Sequence, residues 1–93
     1  MRTVKWGIIG AGQISAKFAK ALNSLDHTEL TAIASRDLNK AIDFAGRFHV
    51  KKMYGSYEEM IKDPEIDVIY IGTPHTQHKE HAELCMKNGK AVL

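Results

Sequence analysis

An apolar run rich in β-branched residues, Val4 to Ile9, is broken by Gly10-Ala11-Gly12 and gives way at Gln13 to apolar positions at helical spacing. No other feature constrains the fold as much, because a strand that turns on glycines into a helix is the opening half of a βαβ unit. The return strand of such a unit runs parallel to the first. Ile14, Phe18, Leu22 and Leu25 give this first helix its expected buried stripe. The alternation then repeats. Leu30 to Ser35 reads as a second strand, and Asp37 is placed to N-cap a helix whose stripe is Leu38, Ala41, Ile42, Ala45 and Phe48. A brief third strand, about Lys52 to Tyr54, precedes Ser56 and Glu59 at capping-box spacing, which start a short helix ending before Asp63-Pro64. Val68, Ile69, Tyr70 and Ile71, within Asp67 to Gly72, are apolar without alternation, which predicts a strand covered on both faces. A last helix is expected from about Thr76 to Asn88 with Gly89 at C′, and Ala91-Val92-Leu93 begins a fifth strand that is expected to be cut short. The order βαβαβαβαβ predicts an α/β fold: a doubly wound parallel sheet with right-handed crossovers.

Composition bounds the rest. Ninety-three residues allow one domain, burying between roughly 60% and 70% of the unfolded surface. Thirteen Lys and Arg against eleven Asp and Glu leave a net charge of +2, too small and too dispersed for a polyanion-binding surface. Basic residues do not alternate with aromatics, so nucleic acid is not an expected partner. The apolar stretch Trp6 to Ala11 is interrupted by glycine and too short for a signal or a membrane span, so no membrane partner is expected. Cys85 is the only cysteine, which excludes a disulfide framework and a multi-cysteine metal site. The cytoplasm is the expected compartment.

The glycine turn carries the first functional signal. Gly10 permits the tight turn, and Gly12 lets the backbone approach a pyrophosphate closely. The helix that follows offers unpaired N–H groups and a partial positive charge to the anion. Ser15 stands where a dinucleotide fingerprint has its third glycine, and is small enough for close helix–strand packing. A turn without a ligand is the competing reading, and the placement between strand and helix favours binding. The end of the second strand bears on the choice of cofactor. NAD sites place an acid there for the ribose hydroxyls, whereas this chain has Ala34-Ser35-Arg36-Asp37. Arg36 and Ser35 suit the 2′-phosphate of NADP, and Lys40 can reach the same phosphate one helical turn later. Two alternatives stay open: Arg36 and Lys40 are a solvated helix start, or Asp37 serves the ribose of NAD in a shifted register.

Gly72-Thr73-Pro74-His75-Thr76-Gln77-His78 follows the fourth strand, at the edge where doubly wound sheets bind ligands. Its polar residues suit the nicotinamide end of a dinucleotide. His75, His78 and His81 recur every three residues, but on a helix each such step turns away from the last, so no metal site is expected. His27 and His49 read as surface residues, and Cys85 as a packed core thiol.

With these segments in hand, the chain resembles the Gfo/Idh/MocA oxidoreductases. The resemblance is carried by Trp6 to Ser15, Ala34 to Asp37, Tyr54 to Glu59, Gly72 to His78 and Asn88 to Leu93, and spans essentially the whole chain. It implies a Rossmann-type domain over residues 1–93 of a two-domain, homo-oligomeric enzyme. Such an enzyme transfers a hydride between NADP (or NAD) and a polyol, sugar or cyclic diol. By position it assigns Gly10, Gly12, Gln13 and Ile14 to the pyrophosphate, and Ser35, Arg36 and Lys40 to the adenosine phosphate. Thr73, Pro74, His75 and His78 go to the nicotinamide side. The family's catalytic Lys is expected just after Leu93, so no catalytic residue is expected in this chain. Binding without turnover is then the expectation for these residues alone. A regulatory module that senses the dinucleotide is the other role the family offers, and a Lys-containing segment after Leu93 would favour the enzyme.

Overall fold

A computed structural model describes residues 3–93, the side chain of His75 excepted. The predicted alternation is present as β1 (Val4–Ile9), α1 (Gln13–Asn23), β2 (Thr28–Ala34), α2 (Leu38–Phe48), β3 (Lys52–Tyr54), α3 (Tyr57–Ile61), β4 (Val68–Ile71), α4 (His75–Lys87) and β5 (Ala91–Val92). All pairings are parallel, in the order β3-β2-β1-β4-β5. The chain therefore walks outward from β1 to β3 and returns to the other side of β1 for β4. The loops leaving β1 and β4 part at that reversal and open a crevice at the carboxyl edge of the sheet.

Two apolar layers hold helices on both faces. Ile8, Leu30 and Ile33 pack with Ala19, Leu22, Ala41, Phe44 and Ala45 beneath α1 and α2. Ile9, Ile69 and Ile71 pack with Tyr57, Met60, Ile61 and Cys85 beneath α3 and α4. Cys85 is fully buried, and burial pushes its thiol up to about 11, so it is a core residue without a ready thiolate. Among the described residues no helix is long and apolar enough to cross a membrane.

Several expected core positions prove different. Ile14 and Leu25 are 64% and 58% exposed, while α1 buries Ser15, Ala19 and Leu22 instead. Leu38 and Ile42 are likewise exposed, and α2 buries Ala41, Phe44 and Ala45. Leu22, Ala41 and Ala45 are buried as expected, while Ser15, Ala19 and Phe44 take the places in the core expected of their larger or neighbouring residues. In β4, Ile69 and Ile71 are buried but Val68 and Tyr70 are half-buried, so the strand is not equally covered on its two faces. Tyr70 stacks on Phe18 at 4.0 Å and Phe18 tilts onto Trp6 at 5.3 Å, which together cover that side only in part.

The local signals fared better. Asp37 Oδ1 accepts from Asn39 N at 3.0 Å as the N-cap of α2. Ser56 Oγ accepts from Glu59 N as the N-cap of α3 and also donates to the Glu58 carboxylate. The last helix starts at His75, one residue earlier than expected, with Pro74 as its N-cap. His27 and His49 are exposed but not featureless: both adopt left-handed backbone (φ 63° and 59°), and His49 is the C-cap of α2.

Asp63 is the buried charge of the fold. Its carboxylate accepts from Tyr54 Oη at 2.6 Å and Lys52 Nζ at 2.9 Å, and Oδ1 accepts from Glu65 N. Burial alone would raise its pKa, but these bonds outweigh it and hold the carboxyl at about 2. A depressed carboxylate stabilises the fold above its unfolded pKa and loses that contribution as pH falls through the folded value. Asp63→Asn should therefore cost roughly 2 kcal/mol at pH 7, and the gap from wild type should close between about pH 4 and pH 2. Urea denaturation of both proteins across that range checks it; a gap independent of pH would remove the carboxylate from the account.

Candidate dinucleotide-binding site

Gly10 turns the chain with φ +94°, a value that disfavours any side chain. Its N–H donates to Ala34 O at 2.8 Å, and Gly72 N donates to Ile9 O at 2.8 Å, so the ends of β1, β2 and β4 are bound together. A Cβ at Gly10 would lie 3.2 Å from the Gly72 backbone and from Thr73 Cγ2. Gly12, the N-cap of α1, is different. A Cβ there would meet nothing within 4 Å, and no side chain caps the helix start. Nothing in the fold itself demands that opening, and it leaves the first-turn amides of α1 facing clear space. A pyrophosphate fits there, held by backbone N–H groups and the helix dipole.

That space belongs to a cavity of about 610 Å³ lined by Gly10, Ala11, Gly12, Gln13, Ile14, Ser35, Lys40, Tyr57, Gly72, Thr73 and Pro74. Eight of the expected site residues thus share one hollow at the strand-order reversal. The exposure of Ile14 follows from this position, since it faces the hollow rather than the core. Ser35 is buried at its rim, its N–H donating to Tyr54 O and its hydroxyl accepting from Asp37 N at 3.2 Å.

Arg36 stands on the neighbouring side. Its guanidinium lies over the Tyr57 ring, 5.4 Å from the centroid, and borders a second hollow with Glu58, His81 and Leu84. Tyr57 lines both hollows and separates them. A stacked guanidinium keeps its N–H edge free for a planar or tetrahedral anion, so this stack fixes the plane of Arg36 without consuming its donors. His78 is half-buried in the first turn of α4 and is not among the residues lining the first cavity. The side chain of His75 lies outside the described residues. Among those residues no group of three or more His, Cys, Asp or Glu could hold a metal ion.

Two residues of the site escaped the sequence. Tyr57 was visible only as part of a helix start, and its packing depends on α3 lying under β2. His81 was visible only as one of three spaced histidines. It is buried, its Nδ1 lies 2.9 Å from Thr73 Oγ1, and its ring meets Tyr57 edge-on at 5.0 Å. Burial, and then the charge of Arg36, lower its pKa from the ordinary imidazole value.

Comparison with known proteins agrees with this geometry. The model of an oxidoreductase family with an NAD-binding Rossmann fold matches residues 4–93. Trans-1,2-dihydrobenzene-1,2-diol dehydrogenase of Mus musculus is 50% identical over 92 residues, covering 97% of this chain and 28% of the relative. The Homo sapiens protein of the same name is 48% identical over the same length. Among solved structures, the 3-ketoreductase KijD10 from Actinomadura kijaniata, in complex with NADP and TDP-benzene, superposes with a TM-score of 0.93 at 30% identity. That match covers 99% of this chain and 28% of the other. Scyllo-inositol dehydrogenase from Lactobacillus casei gives 0.88 at 26% identity, covering 98% and 27%. The chain thus spans 28% of the length of the curated relatives it matches.

Proposed function

Because the chain belongs to the Gfo/Idh/MocA family of oxidoreductases, with an NAD-binding Rossmann fold, we propose that it is the cofactor-binding portion of an NADP-preferring oxidoreductase. Its substrate class is a sugar, a polyol or a cyclic diol. The observation that carries the cofactor choice is the end of β2, where Ser35 and Lys40 line the cavity and Arg36 stands beside it on Tyr57. An acid at Ser35 would repel a 2′-phosphate, whereas a hydroxyl and two cations attract one. Gly10 to Ile14 would hold the pyrophosphate. Thr73, Pro74, His75 and His78 would face the nicotinamide half.

When bound, the dinucleotide supplies the two-electron redox chemistry. The residues of this chain bind and orient it. The substrate class is supported by the dihydrobenzenediol dehydrogenases, the scyllo-inositol dehydrogenase and the 3-ketoreductase that the chain resembles. Titrating the full-length protein with NADP and NAD by calorimetry tests the cofactor. NADP should bind at least ten-fold more tightly, about the worth of one charge-assisted phosphate contact. Equal affinities would refute the preference. Following nicotinamide absorbance over a panel of sugars, inositols and cyclic diols tests the substrate class, and turnover confined to other alcohols would refute it.

A further inference from the structure

We propose that His81 is a positioning residue of the dinucleotide site, acting through Thr73; the inference rests on the nucleotide reading above. One buried side chain touches both walls of the crevice. Its Nδ1 reaches Thr73 Oγ1, which borders the cavity beside the glycine turn, and its ring packs edge-on with Tyr57, over which Arg36 lies.

The chemistry of the contact explains why a histidine suits it. The Thr73 hydroxyl has a single hydrogen. When Nδ1 is bare, that hydrogen is donated to the ring and cannot face the cavity. When Nδ1 carries the proton, the bond reverses: the ring donates, Thr73 Oγ1 accepts, and the hydroxyl hydrogen turns toward a ligand oxygen. Arg36 from the β2–α2 turn and His78 on α4 disfavour the charged ring, while Glu58 on α3 and Glu80 on α4 favour it. Together with burial the balance lowers the ring's pKa and so favours the neutral form, in which both tautomers are within reach. The bound state takes the Nδ1–H form, and His81 thereby sets the polarity of the Thr73 hydroxyl.

The test uses the full-length protein, with NADP and NAD titrated by calorimetry at fixed pH. His81→Phe keeps an aromatic ring beside Tyr57 and removes the hydrogen bond. His81→Asn places an amide nitrogen where Nδ1 stands. Losing the bond should weaken both dinucleotides about three- to ten-fold in the Phe variant, and the Asn variant should recover most of that. In a Thr73→Val background, His81→Phe should add less than about two-fold, because the partner hydroxyl is already gone. Nitrogen NMR of the wild-type imidazole should show Nδ1 protonated in the complex. Unchanged binding in His81→Phe, or an equal loss with and without the Thr73 hydroxyl, would overturn the proposal. A wild-type protein that binds neither dinucleotide would overturn the nucleotide reading and this inference with it.

Discussion

Arg36→Ala should weaken NADP binding by about ten- to a hundred-fold and leave NAD within about two-fold of wild type. The magnitude is that of one charge-assisted contact to a phosphate, roughly 1.5–3 kcal/mol. The asymmetry follows from where Arg36 stands. It borders the hollow beside the pyrophosphate cavity, next to Ser35 at the end of β2, and its guanidinium lies over Tyr57 rather than at the glycine turn. A ligand without the 2′-phosphate offers it no anion. Arg36→Lys separates charge from geometry. Lysine keeps the cation but loses the flat fork and the stack, so an intermediate loss is expected. Tyr57→Leu should reproduce part of the Arg36→Ala effect, since the guanidinium then loses the ring that fixes its plane. Calorimetry with both cofactors measures all three variants. Parallel losses for NADP and NAD would mean that Arg36 supports the fold of the β2–α2 turn rather than reading the phosphate.

The glycine turn, the alternation of strands and helices and most element ends were legible because each depends on neighbours in sequence. Asp37 caps the helix that begins beside it, and Gly10 needs a positive φ whatever lies across the sheet. What the sequence hid depends on contacts made by distant elements. In α1 the expected Leu22 is buried, but it is joined by Ser15 and Ala19 rather than by Ile14 and Leu25. A serine and an alanine carry too little hydrophobic signal to mark that face, and Ile14 and Leu25 outweigh them in any reading of periodicity. Tyr57 and His81 enter the site for a similar reason. They sit on α3 and α4, 24 residues apart, and meet only because the crossovers from β3 to β4 and from β4 to β5 place both helices on one face of the sheet. Single-sequence reading finds the residues that bind through their own turn, and misses those that act by supporting another side chain.

Gly72→Ala should be the most disruptive small substitution in the site. A Cβ at Gly72 would lie 2.0 Å from Ser15 Oγ and 3.3 Å from both Ser15 Cβ and Ile9 O. The start of α1 and the end of β4 are therefore in direct contact through one serine and one missing side chain. Overpacking of this kind costs about 1–3 kcal/mol, and here the strain is applied to the helix turn whose amides face the pyrophosphate space. Stability and dinucleotide affinity should fall together. Ser15 offers the compensating change. Its hydroxyl is fully buried and makes no hydrogen bond among the described residues, so Ser15→Ala should be neutral or stabilise by up to about 1 kcal/mol. With Oγ gone, the nearest remaining atoms stand at 3.3 Å, a distance that a shift of a few tenths of an ångström relieves. The Ser15→Ala, Gly72→Ala double variant should then recover most of the stability and the binding lost in Gly72→Ala. Thermal melts and NADP titrations of the four proteins form a double-mutant cycle with a large favourable coupling. If Gly72→Ala costs the same in either background, the strain lies in the strand backbone at Ile9 and not in the Ser15 contact.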